Sequence, residues 1–255
     1  MSIKKVHFIG KTLIELPSCP STNEYALSLL SKSKPNEGTV ILTFNQTQGR
    51  GQIGSKWVSE AFKNVAFSCI LHPHFLAPKE QIALNQAVAL AVLNLMVRYT
   101  QKEVHVKWPN DIYVDNRKIA GILIQNILSS NKFNTSIVGI GINVNQQEFP
   151  NDLPTATSLS METGHIFNLK ELSLELCDLL NQQYNRLMNQ PLNLIHEEYL
   201  KHLYRFRQWN TFETSNGIAF KGRIIGVSSA GKLQVEKEGN DGFVEEFGIK
   251  EIRLK

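Results

Sequence analysis

The chain has 255 residues, of which 42% are hydrophobic and 20% are charged. This composition is typical of a globular protein with a sizeable core, and it excludes the disordered and fibrous classes. The formal net charge of +4 favours anionic ligands but is too small to indicate nucleic-acid binding by itself.

Cysteine usage and hydropathy indicate the compartment. Cys19, Cys69 and Cys177 are odd in number and far apart, so they suggest neither a disulfide framework nor a metal site. The most apolar stretch, Ile82 to Val97, contains Asn and Gln and is expected to fall short of the ~20 residues that a membrane span needs. We therefore expect a cytoplasmic protein without a membrane or nucleic-acid partner.

The first predicted elements are a strand at Thr12–Leu16 and an amphipathic helix after it. Ser21 and Glu24 have the spacing of a capping box, which predicts that Ser21 caps this helix. The first amides of a helix are unsatisfied and point outward, so its N-terminus can also bind a ligand. Both roles are open for Ser21 at this point.

A glycine-rich segment, Asn45–Trp57, follows a buried strand at Thr39–Phe44. Its three glycines allow unusual backbone angles and close approach, while Arg50 offers a planar fork of donors for a carboxylate or phosphate. A dinucleotide-binding loop is disfavoured because no apolar helix pattern opens here. A flexible linker is the alternative, although linkers seldom combine Arg with Trp.

In the stretch Val104–Gln125, apolar and polar residues alternate with period two. This pattern predicts half-buried strands that are separated by a charged turn and by a second turn. Lys107–Asp111 should bend out of the sheet, because proline cannot donate to a ladder and Asn-Asp favours local bonds. Lys118 then opens the returning strand, and the small residue Gly121 allows a ligand to approach closely. Taken alone, a tryptophan such as Trp108 is more often a core residue than a cofactor contact, and a lone lysine after a turn, such as Lys118, is usually solvated.

The remaining large elements are predicted to form scaffold. Strands are expected at Val65–Leu71 and Ser136–Asn145, helices at Pro78–Tyr99, Leu169–Met188 and Leu192–Tyr204, and a loop at Leu153–Gly164.

From about Asn210 the helix signals vanish and short runs separated by glycines predict a small β-barrel, with strands at Ile218–Ile225, Lys232–Glu236 and Gly242–Phe247. Such a small unit should be marginal alone, so we expect it to dock on the larger domain.

Three motifs occur in order: Q-x-x-G-R-G-x-x-G-x-x-W from Gln46, K-W-P-N-D from Lys107 followed by K-I-A-G from Lys118, and G-I-N ending at Asn143. Together they resemble the biotin protein ligases, and the resemblance runs from Ser21 to the terminal barrel. It implies an α+β fold, in which residues 1–207 form a class II synthetase-like catalytic domain with a mixed β-sheet flanked by helices. Residues 208–255 would form an SH3-like barrel.

The resemblance also implies an activity. Members of the family use ATP, which normally brings Mg²⁺, to activate biotin as biotinyl-5'-AMP and transfer it to a lysine of a biotin carboxyl carrier protein. The substrate carboxylate is the nucleophile, so the enzyme must orient two anions and offset their repulsion. Lys118 and Arg50 are assigned to that catalytic task. A monomer or homodimer is expected.

The family motifs imply two sets of binding residues. Around biotin they place Ser21, Thr22, Asn23, Gln46, Gly49, Arg50, Gly51, Gln52, Lys118 and Gly121. Toward ATP or the adenylate they place Gly54, Trp57, Asn110, Asp111 and Asn143. No metal ligand is assigned, although Asp111 is a candidate for magnesium. Gln52, Ile53 and Ser55 stand where some members carry further arginines, which leaves the retention of the adenylate open.

Three other functions are considered. Lipoate protein ligases share the fold and the adenylate chemistry, but their glycine motif differs. A biotin-responsive repressor would need a helix-turn-helix domain of ~60 residues before the first helix, where only 20 residues precede Ser21, so the short form without that domain is expected. A silent biotin-binding module would not need Lys118.

Overall fold

The structure, a computed structural model, describes residues 8–52, 54–129, 132–239 and 242–255. The helices are α1 (Thr22–Lys32), α2 (Gln81–Tyr99), α3 (Leu159–Thr163), α4 (Leu169–Asn189) and α5 (Leu192–Lys201), and a 3₁₀ turn at Pro78–Glu80 leads into α2. The strands are β1 (Leu13–Leu16), β2 (Thr39–Thr43), β3 (Gly49–Arg50), β4 (Lys56–Trp57), β5 (Asn64–Leu71), β6 (Val104–Lys107), β7 (Asp111–Val114), β8 (Arg117–Ser129), β9 (Lys132–Asn143), β10 (Trp209–Thr214), β11 (Ala219–Val227), β12 (Leu233–Lys237), β13 (Val244–Phe247) and β14 (Ile252–Leu254).

Seven strands form the main sheet in the order β1-β2-β5-β9-β8-β7-β6. β1 and β2 are parallel, whereas the other neighbouring pairs are antiparallel, so the sheet is mixed as predicted. The stretch Val104–Gln125 folds as the predicted antiparallel strands, and Lys107 pairs with Asp111 across the turn between β6 and β7.

The two faces of the main sheet pack against different helices. Side chains alternate across a strand, and in β2 Val40 and Leu42 join the large core that includes α2, whereas Ile41 points to the other face. There Ile41 packs with Ala26 of α1 and with Ile137 of β9. We call this second side of the sheet the α1 face.

Helix α2 forms the centre of the large core. Together with its 3₁₀ turn, Pro78–Tyr99 spans 22 residues with a mean hydropathy of 1.4 in its most apolar window, which is long and apolar enough to cross a membrane. The expectation that this stretch is too short was therefore wrong. Because 67% of that window is buried inside the fold, α2 has the surroundings of a core helix.

The C-terminal strands form a five-stranded antiparallel sheet in the order β13-β12-β11-β10-β14. Sequence patterning missed β10, which is mostly not buried, and β14, which has only three residues. The sheet docks as expected, since Ile224 and Leu233 belong to the same apolar core as the main domain. Trp108 fixes the contact by donating its indole N–H to the carbonyl of Gly231 at 3.0 Å. The domain boundary between residues 207 and 208 stays a prediction.

Two connecting segments differ from their predictions. The segment Leu153–Gly164 was expected to be a loop but contains α3, which Ser158 caps by accepting the N–H of Met161 at 3.3 Å. The last helix, α5, ends at Lys201 rather than Tyr204, because the chain then pairs by a backbone bridge with β6.

Candidate functional site

A cavity of about 740 Å³ opens on the α1 face and is lined by residues of both the main sheet and the C-terminal sheet. This volume lies in the range of small-molecule sites. Of the residues predicted to bind ligands, it is lined by Ser21, Thr22, Asn23, Gln46, Arg50, Gly51, Gln52, Trp57, Asn110, Asp111, Lys118 and Gly121. Gly49, Gly54 and Asn143 are not in its lining. The fold thus brings the motifs from three distant parts of the sequence to one cavity.

The buried polar end of the cavity is built at the N-terminus of α1. Ser21 caps the helix by accepting the N–H of Glu24 at 3.5 Å, as predicted. Ser21 also lines the cavity, and its role in ligand binding stays a prediction. The backbone N–H of Thr22 donates to the side-chain oxygen of Gln46 at 2.8 Å. Ser21 and Thr22 are each only 4% exposed, so water hardly reaches their polar groups. A ligand in the cavity can supply hydrogen bonds that water does not.

Behind this end lies a buried network that sequence motifs did not indicate. The hydroxyl of Ser68 on β5 lies 2.7 Å from that of Thr22 and 2.6 Å from the amide oxygen of Asn23. The amide nitrogen of Asn23 donates to the side-chain oxygen of Gln125 at 3.0 Å and to the carbonyl of Leu123 at 3.3 Å. Ser68 and Gln125 could have been found only by assigning each strand residue to a sheet face.

Glycines on β8 and β9 form the floor of the cavity. Gly121 and Gly141 are register partners, and a Cβ on either would meet the indole of Trp57 at 3.0 Å or less. A Cβ on Gly139 would likewise collide with the amide of Asn23. The family resemblance implies that Gly121 lies toward biotin and Trp57 toward the adenylate, and in the structure the two residues are neighbours. The two-residue spacing of Gly139 and Gly141 was the available signal, since it puts both on one face.

Lys118 and Asp111 form an ion pair at the cavity wall, with 2.6 Å between nitrogen and oxygen. Lys118 lies near the start of β8, where a register shift separates the β7 pairs made by Ile112 and Tyr113. On its other side the backbone of Lys118 exchanges hydrogen bonds with Thr155 and Thr157 at 2.7 and 2.9 Å. Backbone pairing on both sides fixes where the ammonium enters the cavity.

A buried carboxylate supports this wall from behind. The side chain of Glu162 in α3 is fully buried, contacts Lys102 at 2.7 Å and Arg117 at 2.8 Å, and accepts the hydroxyl of Thr157 at 2.5 Å. Burial opposes ionisation, but the hydrogen bonds from Lys102 and Thr157 and the charge of Arg117 outweigh it and hold the pKa of Glu162 below its usual value. No sequence motif indicates this cluster, because its members are far apart in the chain.

Asn143 lies behind the same wall. Its side-chain nitrogen donates to the carbonyl of Thr157 at 2.9 Å, and its buried side-chain oxygen has no partner among the residues that the structure describes. Asn143 is 4% exposed and does not line the cavity. It contacts Thr157, which in turn donates its backbone N–H to Lys118, so Asn143 helps to hold the segment that supports Lys118. Its contact with the adenylate stays a prediction.

Arg50 lies at the exposed rim of the cavity. It belongs to the short β3–β4 hairpin, in which Gly49 pairs with Trp57 and Arg50 with Lys56, so the glycine segment is more regular than a linker. The guanidinium of Arg50 contacts the carboxylate of Glu24 at 2.5 Å, and the two side chains are 66% and 40% exposed. Glu24 therefore competes with a substrate anion for Arg50. Ile53 lies outside the described residues.

Asn110 and Trp108 have structural partners in the bend between β6 and β7. The side-chain nitrogen of Asn110 donates to the carbonyl of Ile122 at 2.5 Å, and the N–H of Ile122 donates to the carbonyl of Asn110 at 2.9 Å. These bonds tie the bend to β8, so Asn110 contributes to the shape of the wall while it lines the cavity. Trp108 packs partly buried against the core, as its alternative role required.

The chain is similar to a known protein family. Residues 15–143 match the Biotin/lipoate A/B protein ligase family. The chain is 31% identical over 240 residues to the bifunctional ligase/repressor BirA of Bacillus subtilis (strain 168), a match that covers 91% of this chain and 71% of that protein. It is also 31% identical over 142 residues to the biotin–[acetyl-CoA-carboxylase] ligase of Mycobacterium tuberculosis, covering 54% of this chain and 51% of that protein.

The solved structures extend the match to the whole fold. The biotin protein ligase from Aquifex aeolicus in complex with biotin and ATP is 27% identical and superimposes with a TM-score of 0.78, covering 96% of this chain and 99% of that one. This similarity confirms the predicted class II synthetase-like domain with a C-terminal SH3-like barrel. From the family match and the 31% identity across most of its length, the chain belongs to the Biotin/lipoate A/B protein ligase family.

Proposed function

We propose that this protein is an ATP-dependent biotin protein ligase. It activates biotin as biotinyl-5'-AMP and transfers the biotinyl group to a lysine of a biotin carboxyl carrier protein. The observation that carries the assignment is the pairing of a buried polar end at Ser21 and Thr22 with the cation of Lys118 in one cavity. Biotin has the matching shape, with a polar ring at one end and a carboxylate at the other.

The polar end favours biotin over lipoate, the alternative substrate of this family. A cyclic urea presents N–H donors and a carbonyl acceptor, which pair with the hydroxyls of Ser21 and Thr22 and the amide of Gln46. The dithiolane of lipoate offers no comparable hydrogen-bonding groups, so it would leave these groups unpaired at a cost of about 1–3 kcal/mol each. Sites built to hydrogen-bond a substrate reject analogues that lack its polar groups.

The chemistry needs orientation and positive charge rather than a protein nucleophile. The biotin carboxylate attacks the α-phosphorus of ATP and pyrophosphate leaves; the acceptor amine then attacks the mixed anhydride and AMP leaves. Lys118 lowers the repulsion between the two anions by fixed positive charge. Burial raises the pKa of Cys69 and of Cys177, which disfavours the thiolate that a covalent cysteine mechanism would need.

The remaining site residues have assigned roles in this proposal. Arg50, with the amides around Gly49, Gly51 and Gln52, binds the carboxylate or the adenylate phosphate once Arg50 leaves Glu24. Gly54, Trp57, Asn110, Asp111 and Asn143 are assigned to the adenylate side. Mg²⁺ comes with ATP and neutralises phosphate charge when bound. Asp111 supplies a hard carboxylate oxygen in the cavity wall, which fits a magnesium ion that is held mainly by phosphates and water.

We place the protein in the cytoplasm, where its carboxylase substrate would be made. The three cysteines support a reducing compartment, since all are free and buried. The acceptor is a carrier domain whose lysine enters the open side of the cavity.

Transfer to the acceptor tests the complete reaction. The protein is incubated with ATP, Mg²⁺, biotin and a biotin carboxyl carrier domain, and the intact mass of the domain is measured. A single biotinyl addition is expected, and it should be lost when the acceptor lysine is replaced by arginine. Modification with lipoate in place of biotin, or no modification of any carrier domain, would contradict the proposal.

A further inference from the structure

The network behind the polar end fixes the direction of each hydrogen bond. Ser68 is fully buried and does not line the cavity, yet it touches two residues that do, Thr22 and Asn23. A serine hydroxyl carries one proton, so Ser68 can donate to only one of these two neighbours.

The amide of Asn23 determines which neighbour receives that proton. The carbonyl of Leu123 can only accept, so the side-chain nitrogen of Asn23 must face it, and the second N–H is donated to Gln125. The side-chain oxygen of Asn23 therefore faces Ser68 at 2.6 Å and can only accept. It follows that Ser68 donates its proton to Asn23.

The direction of the next bond follows from the first. With its proton on Asn23, Ser68 can only accept from Thr22, whose hydroxyl lies 2.7 Å away. If Thr22 instead turned its proton to Gln46, 3.3 Å away, two hydroxyl oxygens would face each other at 2.7 Å without a proton between them. The oxygen of Gln46 also accepts the backbone N–H of Thr22 at 2.8 Å, so it keeps a partner when the Thr22 hydroxyl turns its proton to Ser68.

We propose that Ser68 is a positioning residue that locks the Thr22 hydroxyl as a hydrogen-bond acceptor for a ring N–H of biotin. The inference rests on biotin being the substrate and deepens that assignment. It also revises the role of Asn23, because both side-chain N–H groups of Asn23 are used inside the protein and Asn23 acts with Ser68 rather than as a donor to the ligand. Donors to the urea carbonyl are left to Ser21 and Gln46.

The test measures biotin affinity by titration calorimetry for the unmodified protein, Ser68→Ala and Thr22→Val. Without Ser68 the Thr22 hydroxyl is free to turn its proton toward the ligand, so Ser68→Ala should weaken biotin binding tenfold or more. In a double variant that carries both Ser68→Ala and Thr22→Val, the two losses of binding free energy should not add, because both substitutions remove the same acceptor. At saturating biotin, Ser68→Ala should form the adenylate at a rate within a few fold of the unmodified protein. Its KM for biotin should therefore change more than its kcat.

An analogue of biotin methylated on its ring nitrogens separates positioning from stability. The unmodified protein should reject it at least a hundredfold relative to biotin, and this ratio should shrink in Ser68→Ala. Ser136→Ala is the matched control. Ser136 is equally buried on the adjacent strand β9 and donates to the side-chain oxygen of Asn126 over 2.8 Å, but it does not line the cavity. Its biotin affinity and analogue ratio should be unchanged.

Each outcome decides between the claims. If the unmodified protein does not bind biotin, the proposed function fails. If it binds biotin but Ser68→Ala keeps both the affinity and the analogue ratio, the positioning role is wrong. Should Ser68→Ala not fold, Ser68→Cys replaces the hydroxyl by a thiol, which is both a weak donor to Asn23 and a weak acceptor for Thr22. Ser68→Cys should lose affinity at least several fold, and an unchanged affinity with an unchanged ratio would overturn the inference.

Discussion

The ammonium of Lys118 lies 2.6 Å from the carboxylate of Asp111, and both side chains line the same cavity wall. The backbone of Lys118 has partners on both sides, in β7 and in the segment at Thr155 and Thr157, and Asp111 begins β7 opposite Gly121. A free lysine side chain has many rotamers, but this pairing holds one of them before any substrate arrives. The positive charge is thereby placed in advance where two substrate anions must meet.

The first prediction concerns the charge of Lys118. Lys118→Ala should lower the rate of adenylate formation by ~10²-fold or more, because a preorganised cationic donor is worth ~3 kcal/mol in the transition state. The protein should fold normally, since both side chains of the ion pair are partly exposed and Asp111 can be hydrated. Single-turnover formation of the adenylate and thermal unfolding are the two measurements.

Lys170→Ala is the matched control, because Lys170 also pairs with a carboxylate, that of Glu15 at 2.8 Å, but on the exposed surface. Its rate should equal that of the unmodified protein. If the Lys118→Ala protein forms and transfers the adenylate at the normal rate, Lys118 is a solvated lysine without a catalytic role.

The second prediction concerns the buried carboxylate of Glu162. Its pKa is held below the usual value in the folded protein, so ionised Glu162 stabilises the fold above its unfolded pKa, and this contribution is lost as pH falls toward the folded pKa. Glu162→Gln should therefore cost about 2 kcal/mol near neutral pH and clearly less at acidic pH. Urea unfolding at a series of pH values from 7 downward measures this.

Glu198→Gln provides the comparison for Glu162. Glu198 pairs with Arg186 at 2.6 Å, but its side chain is 31% exposed, whereas that of Glu162 is fully buried. The control should lose less than about 1 kcal/mol. If the two variants destabilise equally at every pH, the buried cluster has no special place in the stability of this wall.

The third prediction concerns the cysteines. Replacing Cys19, Cys69 and Cys177 together by alanine or serine should leave the turnover of folded protein within a few fold, because the substrate carboxylate is the nucleophile. All three are buried, so some loss of thermal stability is expected from the changed packing. Folded thiol-free protein that is inactive would point to a covalent cysteine intermediate instead.

The fourth prediction concerns the glycine segment. In the described part of this segment, regular backbone structure is limited to the two-residue strands β3 and β4 and a few turn bonds, and Arg50 and Lys56 are both exposed. Trypsin should cut after these residues quickly in the free protein and at least several fold more slowly with biotin plus ATP. Ordering the segment costs ~1–2 kcal/mol per residue, which the substrate anions offset by drawing in Arg50.

Cleavage after Lys11 is the internal reference for this experiment, because Lys11 is exposed and outside the cavity lining. Its rate should not depend on ligand. Equal cutting after Arg50 and Lys56 with and without bound ligand would show that the segment is not a ligand-ordered lid, and the covering role of Trp57 would then be withdrawn.

Local signals predicted the parts of the site that depend on local structure. The cap at Ser21, the strand that contains Lys118 and the bend between Lys107 and Asp111 each follow from neighbouring residues. The structure has all three, with β8 beginning one residue before Lys118, at Arg117. The family motifs extended these to a shared site, and most of the implied residues line one cavity.

The rest depends on how strands are paired, which one sequence does not reveal. Ser68 reaches Asn23 across 45 residues, and Arg117 reaches Glu162 only because α3 folds back onto β8. The contact of Trp57 with Gly121 likewise needs the hairpin to fold over the sheet. Period-two patterning gives a strand its buried face but not its neighbour.

Exchange of labelled pyrophosphate into ATP tests the central claim most directly, because it requires the enzyme to form an adenylate from the supplied acid and needs no acceptor protein. Biotin, lipoate and octanoate are compared side by side at equal concentrations with Mg²⁺. We expect exchange with biotin and none above background with the other two acids. Exchange that depends on lipoate or octanoate but not on biotin would contradict it.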